Sequence, residues 1–174
     1  MDGCKQGDRQ AQNQFYKLYS KAMYNIAYRI TNNELDAEDV LQESFVSAFR
    51  NMDSYRGTAS IGAWLKRIVI NNSLTAVRKR KVDLTPVEAH DELVDFSDSE
   101  NDDMLYLNVE RIRNAIQLLP DGYRVVFSLY LMEGYDHKEI ASILNISEST
   151  SKSQYNRSKK KLQKILREEV FYDE

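Results

Sequence analysis

The sequence predicts an all-α protein of two small helical domains joined by a flexible acidic linker, and three observations carry that prediction. The 174 residues include only 6 Gly and 2 Pro, too little turn punctuation for a fold of many short strands. Phe15, Leu18, Tyr19, Ala22, Met23, Ile26, Ala27 and Ile30 fall on one helical stripe, and similar stripes recur down the chain. Between residues 83 and 103 the apolar period stops. That stretch carries Asp83, Glu88, Asp91, Glu92, Asp95, Asp98, Glu100, Asp102 and Asp103, with no Lys or Arg. A polar, like-charged segment cannot bury enough apolar surface to fold, so it reads as a linker. The expected divisions are a domain at 1–82, a linker at 83–104 and a domain at 105–174.

The first helix holds the stripe from Phe15 to Ile30 and ends at Asn32-Asn33, because Asn tolerates the left-handed conformation of a helix stop. A second helix is expected from about Asp36 as N-cap, with Asp39 in its first turn and Val40, Leu41, Phe45, Ala48 and Phe49 inward. Residues 51–60 read as a loop. A third helix follows, with Ile61, Trp64, Leu65, Ile68 and Val69 inside, running to the basic cluster Arg78, Lys79, Arg80, Lys81. Beyond the linker, Val109, Ile112, Ile116 and Leu119 form one face, closed by Pro120-Asp121-Gly122. Val125, Val126, Leu129 and Tyr130 form the next, which ends near Gly134. Two further helices are expected at 136–144 and from Ser147 to about residue 169.

Several function classes are excluded. Cys4 is the only cysteine, so no internal disulfide exists. With His90 and His137 the only histidines, a Cys/His zinc site is not expected. No Ser/His/Asp set, Gly-rich phosphate loop or paired-carboxylate pocket is visible, so neither catalytic residues, a cofactor nor a metal is expected. No apolar run approaches the roughly 20 residues of a membrane span. The polar opening, Met1 to Gln14, does not read as a signal peptide, and a cytoplasmic chain is the expectation.

Net charge is −3, yet the charges are segregated. Residues 149–167 carry Lys152, Arg157, Lys159, Lys160, Lys161, Lys164 and Arg167 and no acid, and such clustering sets the local field. The sharpest motif lies at 136–162, DHKEIASILNISESTSKSQYNRSKKKL. Asp136 with Glu139 suits a capping box, and Ile140, Ala141 and Leu144 face inward. Asn145 suits the left-handed residue of a tight turn, and Ser147 caps the next helix. This is a helix-turn-helix pattern. The small polar start of the second helix (Ser147, Ser149, Thr150, Lys152, Ser153) lets its N-terminus approach bases and phosphates in a major groove. Gln154 and Arg157 are bidentate readers of adenine and guanine, and Lys160 with its basic neighbours neutralises phosphates. The basic run alone is equally a solvated helix face. The capped helix, turn and small polar N-terminus before it favour DNA binding.

At this point the chain resembles an extracytoplasmic-function, or group-four, sigma factor of the sigma-70 family, over about residues 5–168. DAEDVLQESFVSAFRNMDSYRG (36–57) is similar to the family's polymerase-binding helix and following loop. SIGAWLKRIVINNSLTAVRKRK (60–81) is similar to its promoter-melting segment, and LLPDGYRVVFSLYLMEGYDHKEIASILNIS (118–147) to the opening of its sigma-4 domain. Ser151, Gln154 and Asn145 depart from the residues common in the family, which are apolar, Arg and Gly.

The resemblance implies a non-enzymatic subunit that directs RNA polymerase to a set of promoters. Asp36, Asp39, Gln42, Glu43 and Phe49 would dock on core polymerase. Tyr55, Arg56, Ser60, Arg67, Asn71, Asn72, Arg78, Lys79 and Arg80 would meet the minus-ten DNA, with Tyr55 stacking on an unstacked base or simply packing its loop. Trp64 is either a stacking platform or, as its helical phase favours, core. Ser147, Ser149, Thr150, Lys152, Ser153, Gln154, Arg157 and Lys160 would read the minus-35 element. The acidic linker would imitate nucleic acid inside the polymerase, act as a solubilising tether, or both. A separate anti-sigma partner and a monomeric state are also implied. His137 is expected at the surface, and His90 has no arguable role. Two rivals are a dimeric helix-turn-helix regulator and an inhibitory scaffold that sequesters a transcription factor. The first needs a self-complementary apolar patch; the second has no use for the basic helix.

Overall fold

The computed structural model describes residues 2–82 and 109–170, and the expected linker at 83–104 lies outside them. All described elements are helical: α1 (Asp2–Lys5), α2 (Arg9–Thr31), α3 (Glu34–Arg50), a short 3-10 turn (Met52–Ser54), α4 (Ile61–Val82), α5 (Val109–Gln117), α6 (Asp121–Phe127), a π turn (Ser128–Met132), α7 (His137–Leu144) and α8 (Glu148–Val170).

In the first half α2, α3 and α4 pack pairwise around one core. Two adjacent asparagines fix the corner between α2 and α3. Asn32 takes the left-handed conformation (φ 52°) and its N–H bonds the Tyr28 carbonyl, ending α2. Asn33 is extended, and its side chain accepts the Asp36 N–H at 2.9 Å, starting α3. The N-cap is therefore Asn33 and not Asp36. Asp36 instead sits in the first turn, where its charge suits the helix dipole. Gly62 marks the crossing of α4 over α2, since a Cβ there would lie 3.1 Å from the Tyr19 ring. The sequence reading missed α1, whose Cys4 is buried, because its polar neighbours hide any period.

In the second half α8 packs against α5, α6 and α7. Ala115, Ile116, Leu119, Phe127, Leu162, Ile165 and Leu166 form its own small core. Val109 and Leu118 stay largely exposed. A second apolar set reaches across to the first half. Val125, Val126, Leu129 and Ile140 are buried in the same cluster as Ile26, Ile30, Leu65, Val69 and Ile70 of the first half. The two halves are thus closed on each other through α2 and α6. Burying a Val, Leu or Ile side chain contributes about 1.5–3 kcal/mol as an upper estimate, so this seam is a substantial contact.

Candidate nucleic-acid interface

The helix-turn-helix forms as its caps dictate. Asp136 and Glu139 make a reciprocal capping box at the start of α7. Asn145 is left-handed (φ 56°) and its N–H returns to the Ala141 carbonyl. The Ser147 hydroxyl accepts the Thr150 N–H at 3.0 Å, opening α8. Helix α8 then sorts its residues by period. Ser151, Ser158, Leu162 and Ile165 form the buried stripe. Ser149, Lys152, Ser153, Arg157 and Lys160 are exposed on the outer side, while Thr150 and Gln154 are half-buried between. Of the expected DNA contacts, Ser147, Ser149, Thr150, Lys152 and Ser153 are already engaged within α8 and its cap. Ser147 bonds Ser149 and Thr150 through its hydroxyl, and Lys152 pairs with Glu148 at 2.6 Å. The hydrogen bond from Lys152 and its charge hold the Glu148 carboxyl below its usual range.

Ser151 explains a departure noted in the sequence. It is fully buried where the family resemblance leads one to expect an apolar side chain, and its hydroxyl meets His137 Nδ1 at 2.9 Å. His137 is therefore not a bare surface residue. Its ring stacks on Tyr130 at 4.5 Å and lies 5.7 Å from Tyr155, so it ties α7 to α8. No local pattern pairs residues 137 and 151, which explains why the sequence did not disclose the link.

The first half offers a second surface. The loop after α3 and the start of α4 enclose a cleft of about 340 Å³ lined by Ser54, Tyr55, Arg56, Thr58, Ala59, Ala63, Trp64, Arg67 and Tyr135. Tyr55 donates to the Ala59 carbonyl at 2.6 Å, which closes the loop, and its ring lies 5.7 Å from Trp64. Trp64 is half-buried, so it packs on the core and lines the cleft at once. Ser60 is exposed at the mouth of α4, where its hydroxyl caps Ala63.

Along α4, Asn71, Arg78 and Lys79 are exposed on the outside. Asn72 and Arg80 are not grouped with them. Asn72 donates to buried Ser44 at 3.0 Å, joining α4 to α3. Arg80 is held by Asp36 at 3.3 Å, by the Thr31 carbonyl at 3.2 Å and by Asp121 of the second half at 3.5 Å. On α3, Asp39, Gln42 and Glu43 stand in solvent on one side, whereas Phe49 leans on the rings of Phe15 and Phe45.

The sequence reading missed the polar seam between the halves. Glu133, whose side chain is only 5% exposed, is paired with Arg29 of α2 and with Lys66 of α4 at 3.4 Å. Lys66 also donates to the Glu133 carbonyl at 3.1 Å and lies 5.4 Å from the Tyr135 ring centre. Burial and then the Glu133 charge push the Tyr135 phenol above its ordinary value, against an opposing pull from Arg67. Arg124 is 2% exposed, pairs with Asp121, and donates to the Leu119 carbonyl at 2.8 Å and across the seam to Ile30 at 3.4 Å. Among the described residues no His/Cys/Asp/Glu cluster could hold a metal, and no helix is long and apolar enough to cross a membrane.

The family model for Sigma-70 region 2 matches residues 15–82, and that for Sigma-70, region 4, matches residues 109–162. The chain is 32% identical to the ECF RNA polymerase sigma factor SigW of Bacillus subtilis, covering 94% of this chain and 93% of that one. It is 31% identical to the ECF RNA polymerase sigma-E factor of Haemophilus influenzae, covering 94% and 91%. Among solved structures, the sigma factor RpoE in complex with the anti-sigma factor NepR from Bartonella quintana superposes with a TM-score of 0.61 at 22% identity, covering 89% and 96%. CnrH in complex with the cytosolic domain of CnrY gives 0.55 at 22% identity, covering 95% and 93%. At these identities the two structures speak for the fold.

Proposed function

The chain belongs to the extracytoplasmic-function sigma factors of the sigma-70 family, and from that premise we propose how its residues divide the work of directing RNA polymerase to promoters. Helix α8 reads the minus-35 element. The observation that carries this is the outer stripe Ser149, Lys152, Ser153, Arg157 and Lys160, exposed as a set on a helix whose start is fixed by two caps. Small side chains at its N-terminus admit the phosphate backbone, Arg157 reaches a guanine edge, and Lys160 neutralises phosphate. Gln154, at the edge of the stripe, contacts a neighbouring base.

The cleft around Tyr55 and Trp64 takes an unstacked base of the minus-ten strand. Stacking on an aromatic is worth about 1–3 kcal/mol per base, comparable with the cost of opening a step, so trapping one base stabilises the melted strand. Arg56 and Arg67 at the rim, with Asn71, Arg78 and Lys79 further along α4, hold the backbone. Asp39, Gln42 and Glu43 dock on core polymerase. The phosphoryl-transfer chemistry belongs to the polymerase. One structural relative, RpoE of Bartonella quintana, is described in complex with an anti-sigma factor. That supports control of this chain by a separate anti-sigma protein.

The test is run-off transcription with sigma-free core polymerase on a genomic promoter library. New discrete starts are expected with this protein, and they are lost with Asp39→Arg or Arg157→Glu. Tight duplex binding by the protein alone, with no core-dependent transcription, would overturn the reading in favour of a dimeric regulator.

A further inference from the structure

We propose that Glu148 and Lys152 together read one C·G base pair of the minus-35 element, Glu148 accepting from the cytosine and Lys152 donating to the guanine. The proposal rests on the reading of α8 as the minus-35 helix. Glu148 opens α8 one turn before Lys152. Its carboxylate and the Lys152 ammonium stand 2.6 Å apart, with the side chains 50% and 57% exposed. Residues 149–167 carry only bases among their charges, so Glu148 is a lone negative charge at the head of a basic face. Beside phosphates such a charge is repelled. It is accommodated where it meets a hydrogen-bond donor, and the first turn of a helix in the major groove lies against base edges that supply donors.

The helix does not need Glu148 as a cap. The Ser147 hydroxyl already accepts the Thr150 N–H, and among the described residues the Glu148 carboxylate bonds Lys152 and no backbone N–H. An exposed ion pair of this kind contributes little stability, so it opens readily to new partners. Lys152 also holds the Glu148 carboxyl below its usual range. At neutral pH the group is therefore ionised and can only accept.

The pair matches C·G in pattern and in scale. In the major groove cytosine shows its N4 donor, and guanine its O6 and N7 acceptors. N4 and O6 are hydrogen-bonded to each other within the base pair, so they lie about 2.9 Å apart. An acceptor and a donor held 2.6 Å apart can address both at once. An A·T pair also sets a donor beside an acceptor, adenine N6 beside thymine O4. There the flanking groups are wrong, since adenine N7 would face the carboxylate and the thymine methyl would face the ammonium. Guanine instead gives Lys152 a second acceptor. Reversing the pair to G·C sets acceptor against carboxylate and donor against ammonium, so the order of the two residues along α8 fixes which strand carries the cytosine.

The experiment assembles holoenzyme from sigma-free core polymerase and the full chain, and selects bound promoters from a library randomised across the minus-35 element. The parent is expected to favour C·G over the other pairs by about tenfold at one position. Glu148→Gln keeps the shape of the side chain and removes its charge, and it should cut that preference to within about twofold while leaving the other positions unchanged. Lys152→Ala should weaken the preference at the same position. If Glu148→Gln instead strengthens binding to every promoter alike and the C·G preference survives, Glu148 is only a helix-end charge and the proposal is overturned. If no minus-35 position favours C·G, it is overturned as well. If neither Glu148→Gln nor Arg157→Ala changes preference at any minus-35 position, α8 is not the reader. The reading beneath the proposal then falls, and the proposal with it.

Discussion

Arg157 and Arg80 were both expected to meet DNA, yet the chain treats them differently. Arg157 stands in solvent on the outer side of α8, one of a row of exposed polar residues. Arg80 lies at the end of α4 among Asp36, Asp121 and the Thr31 carbonyl, bound by groups from both halves. The contrast extends to the surfaces around them. The α8 surface is held up by its own small core and is open. The α4 surface is partly covered by the second half, through Tyr135 in the wall of the cleft and Glu133 on Lys66. One surface is presented and the other is kept.

The comparison breaks most decisively at Arg124. This side chain is 2% exposed and holds Asp121, the Leu119 carbonyl and the Ile30 carbonyl together. Removing one partner of a buried pair costs about 3–5 kcal/mol. Asp121 retains Arg80 and is itself 23% exposed, so Arg124→Ala should fall at the lower end, about 3 kcal/mol. Urea denaturation of the free chain measures it. A loss under about 0.5 kcal/mol, the range of an ordinary surface change, would mean the seam contributes little and the covered surface is covered only loosely.

Arg157→Ala sharpens the comparison from the other side. The residue is exposed, and among the described residues no ion pair holds it in place, so stability should change by less than about 0.5 kcal/mol. Binding to the promoter should nevertheless weaken by about 1–3 kcal/mol, with relaxed preference at one base pair. Competition between promoter variants in a holoenzyme binding assay reads this directly. A uniform loss across all variants would reassign Arg157 to the phosphate backbone.

The open surface was largely legible in the sequence, and the reason is its locality. The Asp136–Glu139 box, the left-handed Asn145 and the Ser147 cap act within one turn, so residue types at fixed offsets suffice to locate them. The covered surface was legible only in part. The cleft loop and the helix after it were placed correctly, but Glu133 reaches Arg29 across 104 positions and Lys66 across 67. No periodicity encodes such pairs. Val125, Val126 and Leu129 were rightly taken as an apolar face, yet which core they would join was left open by their pattern. Val125, Val126, Leu129 and Ile140 are used within one chain, against the core of the first half. Asn33 displaced Asp36 as the cap of α3 because Asn32 had already ended α2, leaving Asn33 as the extended residue between two helices.

The smallest predicted effect concerns how the open surface is anchored. Ser151 is fully buried on the inner stripe of α8, where a polar group costs free energy unless paired, and His137 pairs it at 2.9 Å. Ser151→Ala removes one partner of that bond. His137 is only half-buried and can turn its nitrogen to water, so the cost should sit low in the range for a single hydrogen bond, about 0.5–1 kcal/mol. Because the stack of His137 on Tyr130 and the tilted contact of Tyr130 with Tyr155 remain, the angle between α7 and α8 should persist. Minus-35 binding should then stay within about twofold of the parent, the effect of a few tenths of a kcal/mol. A thermal melt gives the first quantity and a holoenzyme binding assay the second. If stability holds but minus-35 binding drops tenfold, the His137–Ser151 bond aims the reading helix as well as anchoring it.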